Sequence, residues 1–151
     1  MAVVKELRVR RQGRGLSEPS HALDALAALE VPKAVTAVKV GLDARLVRKL
    51  ADQLELSLDD LASPLHLTTR TLHRRLEHGR LTLDESERVL GLVKILALAR
   101  QTLGSKAKAV HWLKSPVPAL GGATPLEYAE TQIGLRELED ILVRIQDVVY
   151  S

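Results

Sequence analysis

The residues best suited to recognition chemistry cluster in one short stretch, PLHLTTRTLHRRLEHGRLT, which spans residues 64–82. It holds four arginines and three of the five histidines of the chain, but a single acid, Glu77. An α-helix fits the major groove of DNA, and arginine can donate two hydrogen bonds to guanine O6 and N7. The stretch therefore indicates a DNA contact. The alternative is that the arginines only keep an exposed helix face in water, and the helix alone leaves both readings open.

The leucines of this stretch predict how its charged residues are arranged. Leu72 and Leu76 are four residues apart, so they share one face of a helix, and Arg70 and Arg74 fall on the opposite face. Thr68 is the predicted N-cap. Hydroxyls and free N–H groups at the helix start could hold a phosphate, and the flanking arginines could reach the DNA backbone. The predicted DNA-binding residues are Thr68, Thr69, Arg70, Thr71, Arg74, Arg75 and Arg80.

A second short helix precedes this basic helix. Residues 58–62 follow Ser57 and are separated from the basic helix by a short turn, which is the helix-turn-helix arrangement. One recognition helix makes too little contact for specific binding, so we expect a homodimer on double-stranded DNA with half-sites roughly 34 Å apart. Residues 1–19 are basic and are predicted to be a flexible arm that adds DNA contacts. A tail kept soluble by its charge remains the alternative.

Signals for an enzyme or a metal site are weak. His66, His73 and His78 are separated by seven and five residues, unlike the i, i+4 pair of metal-binding helices, and the chain has no cysteine. No G-x-S-x-G, Walker lysine or H-E-x-x-H motif is present. We therefore expect no catalytic residues, no metal and no cofactor.

The composition favours a small, helical, cytoplasmic protein. The 151 residues are 46% hydrophobic but only 2% aromatic, with no phenylalanine, so the core must be aliphatic. Such a core favours helices, and a chain of this size needs no disulfide to fold. So few aromatic rings argue against binding single strands by base stacking. No apolar run is long enough for a signal peptide or a membrane span, so we expect no membrane contact.

The periodicity predicts an all-α fold. Capping boxes at Thr82 and Thr124 open a long helix and a short one. Residues 33–41 alternate small apolar side chains and are predicted to be a short strand or a loop. Pro32 is expected to end the first helix, and Gly134 is expected to separate the short helix from the last one.

Charge is divided unevenly along the chain. Residues 1–120 carry 20 basic and 13 acidic side chains, whereas residues 121–151 carry two basic and six acidic ones. This asymmetry indicates two surfaces with different partners.

The C-terminal segment AVHWLKSPVPALGGATPLEYAETQIGLRELEDILVRI resembles the toxin-binding region of the Xre/MbcA/ParS antitoxin family. That pattern has A-x-x-W-L, a proline-containing loop, G-x-x-P-L, a later glycine and a final amphipathic helix. The matching residues are Ala109, Trp112, Leu113, Pro116, Gly122, Pro125, Leu126, Gly134, Leu142 and Ile145. The run TLHRRLEHGRLTLDESERV is similar to the family's helix-turn-helix, through Thr71, Leu72, Arg74, Arg75, Leu76, Leu81, Glu85, Ser86 and Arg88. The resemblance covers about residues 40–150, and the chain departs from the family pattern at its end, DVVYS, where a glycine is common.

The resemblance implies a type II antitoxin that binds and neutralises a toxin and represses their shared operon. For the Xre branch the implied partner is a RES-domain toxin, an enzyme that consumes NAD. The implied division is an arm (residues 1–19), a helix-turn-helix DNA-binding and dimerisation domain (20–104) and a toxin-binding domain (105–151). Exposed side chains and the chain terminus give the predicted toxin contacts: Glu130, Glu137, Asp140, Arg144, Tyr150 and Ser151. Two alternatives remain, a stand-alone regulator with a C-terminal dimerisation or ligand-sensing unit, and a helical adaptor that binds only protein.

Overall fold

The computed structural model describes the backbone of residues 18–150 and the side chains of residues 21–149. The described chain contains nine α-helices and, between the seventh and eighth, a short 3-10 helix, Pro118–Leu120. The α-helices are α1 Glu18–Ala27, α2 Val31–Val40, α3 Arg45–Leu54, α4 Leu58–Ala62, α5 Thr69–His78, α6 Leu83–Leu103, α7 Lys106–Lys114, α8 Pro125–Tyr128 and α9 Gln132–Tyr150. The predicted all-α fold is confirmed for this part of the chain. Most of the predicted arm, residues 1–17, lies outside it.

Helix α6 is the centre of the fold. Helices α1, α2, α7 and α9 all pack against it. Most of its buried side chains are aliphatic, as the composition predicted, and they belong to one core with the fully buried Leu138 and Leu142 of α9. One continuous hydrophobic cluster contains these residues together with Leu50, Leu61 and Leu72 of α3, α4 and α5. The helix-turn-helix and the C-terminal helices therefore share a core, which fixes their relative position.

The predicted caps that begin α4, α5, α6 and α8 are confirmed. The side chain of Ser57 accepts a hydrogen bond from the backbone N–H of the third residue of α4, and Thr68 does the same for α5. Thr82 and Thr124 each form a complete capping box, with Glu85 and Glu127 respectively. These local hydrogen bonds satisfy N–H groups that a helix start would otherwise leave unpaired.

The interpretation of residues 33–41 as a strand or a loop is wrong, because most of them belong to α2. Ala34 and Val38, four residues apart, are buried, and helical spacing therefore overrides the alternating pattern. Pro32 does not end the preceding helix, since α1 stops at Ala27 and Pro32 lies in the first turn of α2. A proline is tolerated there because the first N–H groups of a helix have no partner within the helix.

The expectation that Gly134 separates two helices is also wrong. Gly134 lies inside the first turn of α9, and the interruption falls at residues 129–131. Gly134 is buried, and a Cβ atom there would overlap the carbonyl oxygen of Tyr128. The glycine is therefore explained by the close approach of α9 to the end of α8.

None of the described helices is long and apolar enough to cross a membrane.

Candidate functional site: a basic helix and an acidic C-terminal face

Helices α4 and α5 form the predicted helix-turn-helix. The turn between them closes through a hydrogen bond of 2.9 Å from the Leu67 N–H to the Ala62 carbonyl. His66 takes a left-handed backbone conformation in this turn, with φ 55°. Leu61, Leu65 and Leu72 are essentially inaccessible to solvent and pack the two helices on the core. The burial of Leu72 leaves the opposite side of α5 facing solvent.

Arg70 and Arg74 lie on this solvent-facing side, where the sequence placed them. Both side chains are exposed, and in the described part of the chain neither forms an ion pair. Exposed, unpaired guanidinium groups keep all their donors available. The two arginines are therefore free to donate to an external acceptor.

The three threonines at the start of α5 differ in what they offer. The Thr68 hydroxyl accepts from the Thr71 N–H at 3.1 Å, and the two hydroxyls of Thr68 and Thr71 are hydrogen-bonded at 2.9 Å. This local pair makes both hydroxyls part of the cap. Thr69 is exposed, outside this pair, and lies in the first turn of the helix.

Arg75 lies against the core side of the helix. Its Nε donates to both carboxylate oxygens of Glu85, at 2.7 and 3.2 Å, and Glu85 also accepts from the Thr82 N–H at 2.9 Å. The Glu85 side chain is 10% exposed and that of Arg75 is 23% exposed. Burial opposes ionisation of Glu85, but the hydrogen bonds from Arg75 and Thr82 and the charge of Arg75 hold its pKa below the ordinary value. The pair fastens the basic helix to the start of α6.

Arg80 follows the basic helix and joins a second group of charges. The backbone of Arg80 forms an isolated antiparallel β-bridge with the backbone of Asp43, and the Nη1 atom of its side chain donates to the Gly41 carbonyl at 2.9 Å. Asp43 in turn forms an ion pair with Arg45 at 2.6 Å. The hydrogen bond from the Arg45 side chain is the main cause that keeps the pKa of Asp43 low. Asp43 therefore links Arg80 with Arg45, a cation that the sequence analysis missed. The link depends on backbone pairing between residues far apart in the sequence.

Glu130 contacts the helix-turn-helix. Its carboxylate accepts a hydrogen bond of 3.1 Å from the hydroxyl of Ser63, the residue that follows α4. The ammonium group of Lys114, at the end of α7, donates to the carbonyls of Leu54 and Glu55, at 3.2 and 2.9 Å, and these two residues precede α4. The C-terminal segment therefore holds the chain on both sides of α4. Glu130, a predicted toxin contact, therefore already has one partner within the protein.

Three other predicted toxin contacts lie together on α9. The Arg144 guanidinium donates to a Glu137 carboxylate oxygen at 3.4 Å and to the Asp140 carbonyl at 3.3 Å. Asp140 and Arg144 are exposed, and Glu137 is half-buried. The Tyr150 side chain and Ser151 lie outside the described residues.

An exposed isoleucine at the start of α9 was missed by the sequence analysis. Ile133 is 84% exposed and lies in a groove with Tyr128, Arg136, Glu137 and Asp140. A signal was available in the sequence: Ile133 is five residues before the buried Leu138, roughly 140° away around the helix. An apolar residue at that angle cannot share the buried face.

Among the described residues, no group of three histidine, aspartate or glutamate side chains is placed to hold a metal ion.

Two family models match this chain, one over each unit. The model of the antitoxin Xre-like helix-turn-helix domain matches residues 33–94. The model of the antitoxin Xre/MbcA/ParS C-terminal toxin-binding domain matches residues 98–147. The chain belongs to the Xre/MbcA/ParS-type antitoxins. The resemblance found in the sequence is thereby confirmed, and a toxin is the partner of its C-terminal unit.

Individual relatives of this antitoxin carry consistent names. Antitoxin Xre of Yersinia enterocolitica is 29% identical over 119 residues, covering 78% of this chain and 80% of that protein. Antitoxin Xre of Pseudomonas putida is 37% identical over 79 residues, covering 52% and 50%. A protein of Sphingobium sp. named Prs ADP-ribosylating antitoxin is 24% identical over 151 residues, covering 93% and 95%.

Proposed function

We propose that this antitoxin neutralises a RES-type, NAD-consuming toxin through residues 105–151 and, as a homodimer in the cytoplasm, represses its own operon by binding operator DNA. The observation that carries the proposal is the presence, in one chain, of a toxin-binding unit with an acidic face and a helix-turn-helix with outward arginines. No catalytic step is assigned to the antitoxin itself.

The charge of the C-terminal unit supports the toxin part of this proposal. A site that binds the phosphates of NAD is expected to have a basic rim, and acids such as Glu137 and Asp140 complement it. Such complementarity chiefly speeds encounter and selects the partner. The name of the Sphingobium relative refers to ADP-ribosylation, a reaction for which NAD is the usual ADP-ribose donor. The name of this relative is therefore compatible with a toxin that uses NAD.

An enzyme assay tests the toxin part. The protein encoded by the adjacent gene is purified, and the disappearance of NAD is followed while this antitoxin is titrated in. We expect NAD consumption that stops when the antitoxin reaches a fixed molar ratio to the enzyme. Transfer of ADP-ribose to a protein without bulk NAD loss would replace the RES assignment by an ADP-ribosyltransferase partner.

The basic helix supports the DNA part. Arg70 and Arg74 are exposed, form no ion pair with any residue that the structure describes, and lie on one side of α5. Thr69 and the first N–H groups of the helix are suited to a phosphate. Arg75 and Arg80 have partners within the protein, so their predicted role is to position the helix and to reach backbone phosphates. Binding through several phosphates should weaken by orders of magnitude between roughly 50 and 200 mM salt.

We expect Arg70→Ala and Arg74→Ala each to cost about 1–3 kcal/mol of specific binding, because each removes donors to a base edge. The measurement is a fluorescence-anisotropy titration of the DNA upstream of the gene, alongside random DNA of equal length. Lys94→Ala, which removes an exposed cation on α6, is the matched control and should bind like the parent protein. Equal losses on both DNAs would mean that the two arginines touch only phosphates, and no loss would remove α5 from the DNA interface.

A further inference from the structure

We propose that Ile133 is an apolar anchor that inserts into a pocket of the toxin, and that the acids around it pair with basic residues on the pocket rim. This inference rests on the proposed function for the existence of the toxin. Beyond that function, it identifies the face of the C-terminal unit that contacts the toxin and the apolar pocket with a basic rim that the toxin must present.

The exposure of Ile133 is the first observation. At 84% it is the most exposed of the large hydrophobic side chains in the described part of the chain. It lies at the edge of a groove that also contains the half-buried ring of Tyr128. Ile133 and Tyr128 both contribute apolar surface to this groove, and such surface loses its contact with water when a partner covers it.

The second observation is that the backbone next to Ile133 is fixed by close packing and hydrogen bonds. The next residue, Gly134, is buried so closely against the Tyr128 carbonyl that no side chain fits. The Gly134 N–H donates to the Thr131 hydroxyl at 2.9 Å, and the Leu135 N–H donates to the Thr131 carbonyl at 3.0 Å. A backbone fixed in this way loses little further conformational freedom on binding, so the cost of ordering is confined to the Ile133 side chain.

The third observation is the charge around the anchor. The groove is lined by three acids, Glu127, Glu137 and Asp140, and by one base, Arg136. Acids around an apolar centre resemble a protein interface, in which a buried apolar anchor is surrounded by a polar rim. The complementary surface is an apolar pocket surrounded by lysine or arginine. The excess of acids in the groove disfavours a polyanion such as DNA as the partner of this face.

Single exposed hydrophobic residues are common on proteins, so the test needs a second exposed aliphatic residue of this antitoxin as a control. Val31 at the start of α2 is 71% exposed and is also a β-branched aliphatic residue. It lies two residues before the segment that matches the helix-turn-helix model, residues 33–94, and far along the chain from the toxin-binding match, residues 98–147. Val31 therefore serves as the matched control.

The test measures the affinity of the full-length antitoxin for the purified protein encoded by the adjacent gene, by biolayer interferometry. Ile133→Ser should raise Kd about 30-fold or more, the size expected for the loss of a binding hot spot. Val31→Ser should leave Kd unchanged. Asp140→Lys should slow association, and this effect should shrink as salt is raised. Circular dichroism checks that each variant remains folded.

The outcomes separate the inference from the function on which it rests. If the parent antitoxin fails to bind the adjacent gene product, the proposed partner is wrong. If the parent binds and Ile133→Ser binds equally well, the anchor is wrong and the function stands. An equal loss for Val31→Ser would also overturn the anchor, because the effect would then not be specific to this face.

Discussion

Replacing Gly134 with alanine should lower the free energy of unfolding by about 3 kcal/mol or more. A Cβ atom at this position overlaps the backbone carbonyl oxygen of Tyr128, which cannot turn aside as a side chain can. Either α8 must move away or the first turn of α9 must unwind, so the cost lies at or above the upper end of the usual range for overpacking. Urea denaturation followed by circular dichroism measures the loss.

Gly91→Ala is the matched control for this variant. Gly91 also lies within a helix, α6, but its added Cβ would meet the Cδ1 atom of Leu135 at 2.9 Å. That atom is the end of a flexible side chain, and alanine gains about 0.5–1 kcal/mol over glycine within a helix. The net change should be small. Equal losses for the two glycines would show that the close approach of α9 to α8 is not what requires Gly134.

Replacing Glu85 with glutamine should destabilise the protein by about 2–3 kcal/mol. Glutamine can still accept from the Thr82 N–H, but the charge that Arg75 faces is lost. Removing one member of a buried ion pair costs about 3–5 kcal/mol, and we expect less because the Arg75 side chain is 23% exposed. Asp84→Asn is the control, since it removes an exposed acid from the same helix turn and should cost less than about 1 kcal/mol.

This contribution should depend on pH in one direction. The pKa of Glu85 is lowered in the folded state, so the unfolded state binds the proton more tightly. The stabilisation is complete above the ordinary glutamate pKa, about 4.3, and is lost as the pH falls through and below that value. The difference in unfolding free energy between the parent and Glu85→Gln should therefore shrink on acidification. A constant difference between neutral and acid pH would show that the charge of Glu85 is not what stabilises the fold.

Local features of this antitoxin could be predicted from its sequence. The caps at Ser57, Thr68, Thr82 and Thr124 were found because a cap depends on residues three positions apart. The outward placement of Arg70 and Arg74 followed in the same way from the helical spacing of Leu72.

Features that depend on distant residues were missed. The ion pair of Arg75 with Glu85 joins two helices, and the hydrogen bond of Ser63 with Glu130 joins the end of α4 to the turn between α8 and α9. No spacing rule reports such pairs. Gly134 was read as a helix breaker because the sequence does not show the carbonyl of another helix against it. The same limit applies to α2, where burial against α6 decided the structure of a segment with an alternating pattern.

The proposed neutralisation of an NAD-consuming toxin by this antitoxin is tested by a growth experiment. The adjacent gene is induced in a heterologous host with and without this antitoxin, and cellular NAD is measured alongside cell density. We expect growth arrest with NAD loss when the adjacent gene is induced alone, and normal growth and NAD when the antitoxin is produced with it. A harmless adjacent gene, or an arrest that this chain does not relieve, would show that the proposed function is wrong.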